Sequence, residues 1–334
     1  MTPPTRRRAI GITAAAAGLS LVPFGRAVKP AESLVSWRGE ALGALASLQI
    51  HHPDRAFAAE LVGRAVAEVR RLERIFSLYR TDSALVELNR RGVLVAPPRE
   101  LVLVLGESRR IWELTGGAFD PTIQPLWSLY YRHFSSVGHD PSGPSAEALR
   151  AALAKVGLAD VRFDSNRVVL GRRGMALSLN GIAQGYITDR VVEMLRVQGI
   201  AHSLVDMGEP RAIGAHAGGR PWQVGIADPD APERIGDTLE LVNKAVATSG
   251  GYGFRFDAEG RFNHILDPRS GRSPDLYKSV TVVAATATAA DGLSTAFSLV
   301  GPGEIEAALR RLCDTEVRLA PARGDRFRLS APRA

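Results

Sequence analysis

The sequence predicts an α+β fold. Helix-like and strand-like segments mix irregularly along the 334 residues, without the repeating strand–helix–strand rhythm of a doubly wound sheet. The sequence also lacks a Gly-x-Gly-x-x-Gly motif after a strand, which a dinucleotide-binding fold of that kind would carry. Apolar residues make up 45% of the chain, enough to bury a substantial core. Since no long low-complexity linker divides the sequence, we expect a single compact catalytic unit.

The first half of the chain predicts mostly helices. Between residues 54 and 79, apolar residues from Leu61 to Phe76 recur at spacings of three and four, which indicates an amphipathic helix. Helices are also predicted at residues 100–114, between Ser145 and Gly157, and at residues 182–197. A hairpin at 161–170 and a strand at 176–179 complete this half.

The second half predicts short strands separated by Gly, Asp and Pro residues. These strands are expected at residues 203–207, 222–227, 238–242, 245–248, 254–256 and 279–285. Helices return at 290–299 and 303–312. The mixture places most of the sheet after the middle of the chain.

Residues 1–27 have the pattern of a twin-arginine export signal. Arg6, Arg7 and Arg8 precede an apolar, alanine-rich stretch that ends at Phe24, and small residues follow it. A short membrane anchor is the alternative, but the stretch is shorter than the roughly 20 residues that a bilayer span needs. We expect a cleaved signal over 1–27, a catalytic domain over 28–334, no membrane span after cleavage and a periplasmic location.

Charge and composition exclude several kinds of partner and site. The formal net charge is +7, but the first 27 residues hold four arginines and no acid, so the remaining chain is only weakly basic and does not indicate a nucleic-acid partner. The single cysteine, Cys313, excludes an intrachain disulfide. The seven histidines show no metal-ligand spacing. Any metal is therefore expected to be held mainly by oxygen.

Asp291 and Thr295 form a candidate cation site. They lie four residues apart in a predicted helix, so they share one helix face and offer a carboxylate and a hydroxyl to a hard cation such as Mg²⁺. The alternative is that Asp291 only caps the helix.

The segment from Leu177 to Tyr186 is a candidate phosphate site. It runs from a predicted strand through Asn180 and Gly181 into a helix, and the free amide groups of a helix N-terminus favour phosphate. The Gly181 carbonyl could complete a cation site. A simple tight turn is the alternative.

Two loops carry further candidates. Residues 115–122 place Phe119 and Asp120 on a loop stiffened by Pro121, and such loops often carry binding residues; Phe119 could equally anchor the core. Residues 262–271 place His264 in a predicted strand that ends in a turn. A packed or capping histidine is the alternative to a catalytic one.

Taken together, these segments resemble the ApbE family, the FAD:protein FMN transferases, in order and spacing. The resemblance runs from about residue 37 to residue 301. It includes an unchanged Gly-Gly-Ala-Phe-Asp-Pro-Thr motif at 116–122, the Thr248-Ser249-Gly250 segment, the segment 264–271, and Asp291 with Thr295. The resemblance implies an ApbE-like, T-fold-like mixed sheet with helices.

The resemblance also implies a set of site residues. FAD is expected to contact Leu42, Tyr79, Ala118, Phe119, Asp120, Ser178, Gln184 and Leu266. Mg²⁺ is expected at the Gly181 carbonyl, Asp291 and Thr295, with Ser294 as a further oxygen. His264 is the expected catalytic residue. A buried tyrosine is the ordinary alternative for Tyr79.

The implied activity is Mg²⁺-dependent transfer of FMN from FAD to a threonine or serine hydroxyl. The hydroxyl belongs to a separate acceptor protein with an FMN-binding type domain, and AMP is released. Mg²⁺ would neutralise the pyrophosphate during the attack.

The sequence departs from the family pattern at several positions. Ser178 stands where the family usually has Asp, and Gln184 where it usually has Lys. Gly208-Glu209-Pro210 replaces a usual Gly-Gly-Asp, and Ala44 a usual Thr. The first two changes remove one negative and one positive charge together. They leave open the alternative of a periplasmic FAD-binding protein or FAD pyrophosphatase without transferase activity.

We predict that changing Arg6, Arg7 and Arg8 together to lysine blocks export, because the twin-arginine receptor reads the guanidinium pair and not charge alone. All three must change, since three consecutive arginines contain two pairs. Cell fractionation measures the outcome. Undiminished periplasmic accumulation of the triple variant would instead indicate the general secretory route.

Overall fold

The computed structural model describes residues 34–332, and the predicted export signal at 1–27 lies outside them. The strands are Leu34–Ala41 (β1), Ala44–His51 (β2), Val93–Val95 (β3), Val161–Phe163 (β4), Arg167–Leu170 (β5), Ser203–Asp206 (β6), Pro210–Ile213 (β7), Trp222–Asp228 (β8), Ala231–Leu241 (β9), Ala245–Ser249 (β10), Tyr277–Ala284 (β11), Glu316–Pro321 (β12) and Phe327–Ser330 (β13). The helices are Arg55–Phe76 (α1), Ala84–Arg91 (α2), Arg99–Leu114 (α3), Gln124–Phe134 (α4), Ala146–Leu153 (α5), Ala183–Val197 (α6), Ala287–Phe297 (α7) and Pro302–Leu309 (α8). None of these helices is long and apolar enough to cross a membrane.

The main sheet has the strand order β1-β2-β6-β7-β10-β11-β12-β13. All of its neighbouring strands are antiparallel. A small sheet, β3-β5-β4, and a two-stranded ribbon, β8-β9, stand apart from it. The antiparallel sheet with helices packed on it confirms the predicted α+β class.

Side chains alternate between the two faces of the main sheet, as the pleat of a strand requires. In β10, Ala245 and Ala247 belong to the large core shared with the helices. Val246, between them, packs instead with Trp222 and Val224 of the ribbon. The sheet therefore lies between a helical layer and the ribbon, and its central strands β6, β10 and β11 are largely buried on both faces.

Helices α6 and α7 pack against each other at a glycine. A Cβ added at Gly185 would lie only 2.3 Å from the carbonyl oxygen of Ala287, so a larger residue would push the helices apart. At this contact the backbone N–H of Gly185 donates to Asp291 Oδ2 at 3.0 Å. The close packing thus fixes the carboxylate of Asp291.

Six predicted helices are confirmed, as α1, α3, α5, α6, α7 and α8, and so is the hairpin β4–β5. The strand predicted at 176–179 is wrong. Leu177 exchanges hydrogen bonds with the side-chain amide of Asn89, at 2.7 and 2.9 Å, so a side chain takes the place of a neighbouring strand.

The strand predicted at 254–256 is also wrong as a regular element. Phe256 N donates to the Phe262 carbonyl at 2.8 Å and His264 N to the Phe254 carbonyl at 3.0 Å. These bonds surround a single bridge between Arg255 and Asn263. The segment is an irregular extended pair outside the sheets.

We predict that Gly185→Ala destabilises the protein by about 1–3 kcal/mol, because its methyl group overlaps backbone that cannot move freely. Gly63→Ala is the matched control, since Gly63 is an exposed position in α1 where an added Cβ meets nothing within 4 Å. The control should be stabilised by up to about 1 kcal/mol. Urea unfolding measures both changes, and equal stabilities would contradict the packing described here.

Candidate active site

A cleft forms where loop 115–122, the start of α6, the end of β10 and helix α7 meet. Its lining includes ten of the predicted site residues: Ala118, Phe119, Asp120, Ser178, Gly181, Gln184, His264, Leu266, Asp291 and Thr295. Trp127, Asn180, Glu209 and Ser249 line it as well. The enclosed part has a volume of about 150 Å³. That is smaller than the roughly 300–1,000 Å³ of pockets for drug-sized ligands, so a dinucleotide would extend beyond it.

Asp291 is buried inside the cleft wall, with 4% of its surface exposed. Thr286 caps helix α7, so Asp291 is not the helix cap. Burial raises the pKa of Asp291 to about 7, the negative charge of Asp189 adds to this, and the hydrogen bond from Gly185 N opposes it. The carboxylate is thus held in a fixed position where its charge is poorly solvated.

Two more buried carboxyl groups lie close enough for their charges to interact. Glu209 is 3% and Asp206 is 7% exposed. Burial raises the pKa of Glu209 well above its usual range, and the charges of Asp291 and Asp206 raise it further. Burial also raises the pKa of Asp206 to about 7, opposed by a hydrogen bond from Gly208 N. Ionising all three carboxyl groups together is therefore unfavourable unless a cation neutralises them.

Three hydroxyl groups lie close together where the end of β10 meets α7. Ser249 Oγ lies 2.8 Å from Ser294 Oγ and 3.4 Å from Thr295 Oγ1. A Cβ added at Gly181 would lie 2.9 Å from Thr295 Oγ1, so only glycine allows this approach without a shift. Gly181, Asp291 and Thr295, predicted as cation ligands, thus lie in one wall of the cleft.

Ser294 is placed differently from the other three predicted metal ligands. It does not line the cleft; its hydroxyl donates to the Asp291 carbonyl at 2.9 Å and bonds to Ser249. Its side chain is therefore used inside the protein and supports Asp291.

The donor set fits a hard divalent cation. Carboxylate, hydroxyl and carbonyl oxygens are the ligands that Mg²⁺ takes in proteins, and Glu209 Oε2 is buried without a hydrogen-bond partner among residues 34–332. Within the same residues, no three His, Cys, Asp or Glu side chains are grouped as a metal site. A site built from these residue types alone is thus excluded there, and hydroxyl and carbonyl oxygens would have to complete it.

His264 is half-buried and lines the cleft. Its Nδ1 lies 3.2 Å from the Phe254 carbonyl, and since a carbonyl only accepts, Nδ1 carries the proton. Burial lowers the pKa of His264, opposed by this hydrogen bond. The ring is therefore neutral at pH 7, with Nε2 free to accept a proton.

The loop at 115–122 is fixed by Asp120. Its Oδ1 accepts from the Thr122 N–H and hydroxyl at 2.8 and 2.6 Å, and its Oδ2 accepts from Leu158 N at 2.8 Å. The carboxylate of Asp120 is thus engaged within the protein, although the residue lines the cleft. Phe119 lies beside Gly181, 3.4 Å from the position of an added Cβ.

Ser178, Gln184 and Leu266 all line the cleft. The amide of Gln184 lies against Gly208, where an added Cβ would be 2.6 Å from Nε2. Nε2 itself is buried and has no hydrogen-bond partner in the described part of the chain. Ser178 and Gln184, two of the departures from the family pattern, therefore face the same space.

Leu42 and Tyr79 do not line the enclosed cleft. Leu42 begins the tight turn between β1 and β2, with φ of 48°, and its N–H donates to Glu73 Oε1 at 2.8 Å. Tyr79 is 51% exposed, so the buried-tyrosine alternative does not hold. The side chain of Asn180 lies close enough to the Tyr79 hydroxyl to affect its pKa, and since Asn180 lines the cleft, Tyr79 lies at the rim.

Sequence reasoning missed Glu209, Ser249, Asn180 and Trp127 as cleft residues. Glu209 had no local signal, because acidic residues are rarely buried and its burial depends on contacts between distant segments. Trp127 had none, since helix α4 was not predicted.

Comparisons with known proteins show which family and which solved structures this chain is similar to. The model of the ApbE family matches residues 42–319. An FAD:protein FMN transferase of Klebsiella pneumoniae (strain 342) is 31% identical over 291 residues, covering 84% of this chain and 87% of the relative. One of Salmonella typhimurium is 28% identical over 310 residues, covering 88% and 86%. The solved flavin transferase ApbE from Vibrio cholerae superposes with a TM-score of 0.76 at 27% identity, covering 89% of this chain and 97% of that one.

We predict that the metal-free protein loses stability between pH 5 and pH 8 and that Asp206→Asn reduces this loss. The folded pKa of Asp206 is about 7 and that of an unfolded aspartate about 4, so the folded state binds more protons and is destabilised as pH rises. The share of Asp206 is about 2–3 kcal/mol over this interval.

Urea unfolding in EDTA at several pH values measures this share. Glu60→Gln, an exposed position in α1, is the control and should keep the pH slope of the parent protein. If the free energy of unfolding of Asp206→Asn changes with pH as much as that of the parent protein, the pKa of Asp206 is not raised in the folded state.

Proposed function

This chain belongs to the ApbE family, and we propose that it transfers FMN from FAD to a threonine or serine hydroxyl of an acceptor protein, releasing AMP. The transferase activity follows from relatives named FAD:protein FMN transferases across most of the chain. One structural observation supports the finer reaction, namely that Asp291, Thr295, Gly181 and His264 line the same cleft.

The proposed reaction is a displacement at phosphorus. The acceptor oxygen forms a bond to the phosphorus on the FMN side of FAD, and the bond to the bridging pyrophosphate oxygen breaks, so that AMP leaves. The hydroxyl proton must go to a base. His264 suits this role because Phe254 holds its Nδ1–H and leaves Nε2 basic.

The negative pyrophosphate needs positive charge around it. Mg²⁺, held by Asp291, Thr295 and the Gly181 carbonyl, would supply this charge at the phosphates. The N-terminus of α6 offers less to an anion than its sequence predicts, because Ala183 N donates to the Leu179 carbonyl and Gly185 N to Asp291 Oδ2. Among the first amides of the helix, Gln184 N is left to meet a phosphate oxygen. Phe119 and Leu266 offer apolar surface to the flavin.

The remaining contacts are proposals for the part of FAD outside the enclosed volume. Tyr79, at the rim, is positioned to meet a ring system, whereas Leu42 would require FAD to extend toward the β1–β2 turn. Ser178 and Gln184 face the cleft as uncharged groups, so they would bind nucleotide oxygens by hydrogen bonds only.

The partner and the location are also proposals. We expect the acceptor to carry an FMN-binding type domain with the reactive hydroxyl exposed, and we expect the two proteins to meet in the periplasm after twin-arginine export. The sequence pattern at residues 1–27 supports the export route.

We predict that the purified protein, incubated with FAD, Mg²⁺ and an FMN-binding-domain protein encoded beside it, yields a covalent FMN adduct and an equal amount of AMP. Asp291→Asn and His264→Ala should each reduce the rate by at least about 10²-fold. Mass spectrometry of the acceptor and chromatography of AMP measure the reaction.

Ser298→Ala is the matched control, because Ser298 is buried at the end of α7 and bonds to Ser294 outside the cleft. It should retain the parent rate. AMP without an adduct would identify an FAD pyrophosphatase, and neither product would reject the proposed function.

A further inference from the structure

Glu209 lies in the turn between β6 and β7, and its side chain lines the cleft. Only 3% of its surface is exposed, and Oε2 has no hydrogen-bond partner among residues 34–332. Asp206, three residues earlier, provides a contrast: it accepts from Gly208 N at 3.0 Å and is not part of the cleft lining.

A buried carboxylate is normally paired with a cation, coordinated to a metal or neutralised by a proton. Pairing within the described chain is not observed for Glu209. The charges that act on it come from Asp291 and Asp206, both negative, and with burial they raise its pKa. The nearby Arg211 is already ion-paired with Asp189. The Glu209 carboxylate must therefore be neutralised by a metal ion or by a proton.

The surroundings of Glu209 favour a metal. The same cleft wall presents the carboxylate of Asp291, the hydroxyl of Thr295 and Gly181, and these are hard oxygen donors. The side chain that lies against Gly208, the residue before Glu209, is the uncharged amide of Gln184, so it cannot neutralise the Glu209 carboxylate. A divalent cation would neutralise both carboxylates at once.

We propose that Glu209 is a second carboxylate ligand of the divalent cation that Asp291 holds. The inference rests on the proposed cation site and adds a residue of this chain to it. With two carboxylate ligands, the protein would bind the cation before FAD arrives. With a single carboxylate ligand, cation binding would depend on the pyrophosphate oxygens of FAD.

The test is isothermal titration of Mg²⁺, and separately of Mn²⁺ followed by electron paramagnetic resonance, into the FAD-free protein. We expect binding by the parent protein and an affinity at least tenfold weaker in Glu209→Gln and in Asp291→Asn. Asp206→Asn is the matched control, because it removes an equally buried negative charge that does not line the cleft. Its affinity should fall less than threefold.

Each contrary outcome has a separate meaning. Parent-like affinity in Glu209→Gln, with loss in Asp291→Asn, overturns the role of Glu209 and leaves the proposed cation site intact. An equal loss of cation affinity in Glu209→Gln and Asp206→Asn also overturns the role of Glu209, because removing any nearby negative charge would then have the same effect. No cation binding by the parent protein rejects the site itself.

Folding is checked independently of binding. Without metal at pH 8, Glu209→Gln should melt no lower than the parent protein, because the change removes a buried charge. If this variant does not fold, Glu209→Asp replaces it. That variant keeps the carboxylate but shortens it by one methylene, so its affinity should lie between those of the parent and Asp291→Asn, and parent-like affinity would overturn the inference.

Discussion

The crowding of buried carboxyl groups in and beside the cleft is the constraint on which the site depends. Asp206, Glu209 and Asp291 are buried near one another, and the charges that raise the pKa of Glu209 are those of the other two. Such an arrangement is costly in an empty protein and favourable when a cation enters. The proposed cation would relieve this cost by neutralising the carboxylates of Asp291 and Glu209.

The fold keeps these groups in place through close backbone packing. Gly185 brings α6 against α7 and donates its N–H to Asp291, while Gly181 allows Thr295 to approach the cleft. The hydroxyls of Ser249 and Ser294 bond to each other, and Ser294 also donates to the Asp291 carbonyl, so they hold the same stretch of α7 in place. Because rigid elements supply each contact, the donor geometry exists before any ligand binds.

The sequence predicted the parts of this arrangement that depend on local pattern. Periodicity identified α1 and α6, and the four-residue spacing of Asp291 and Thr295 placed both on one helix face. Long-range effects were not predictable: Asn89 replaces a strand partner of Leu177, and the β1–β2 hairpin carries no distinctive turn sequence. The role of Glu209 could not be seen either, since its burial depends on β6, α6 and α7 meeting in space.

Anomalous X-ray scattering from crystals of the protein grown with Mn²⁺, which stands in for Mg²⁺, tests whether one divalent cation joins Asp291 and Glu209. We expect one strong Mn²⁺ peak within bonding distance of both carboxylates and of Thr295 Oγ1. A peak that contacts Asp291 but not Glu209, or no peak in the cleft at all, would contradict this expectation.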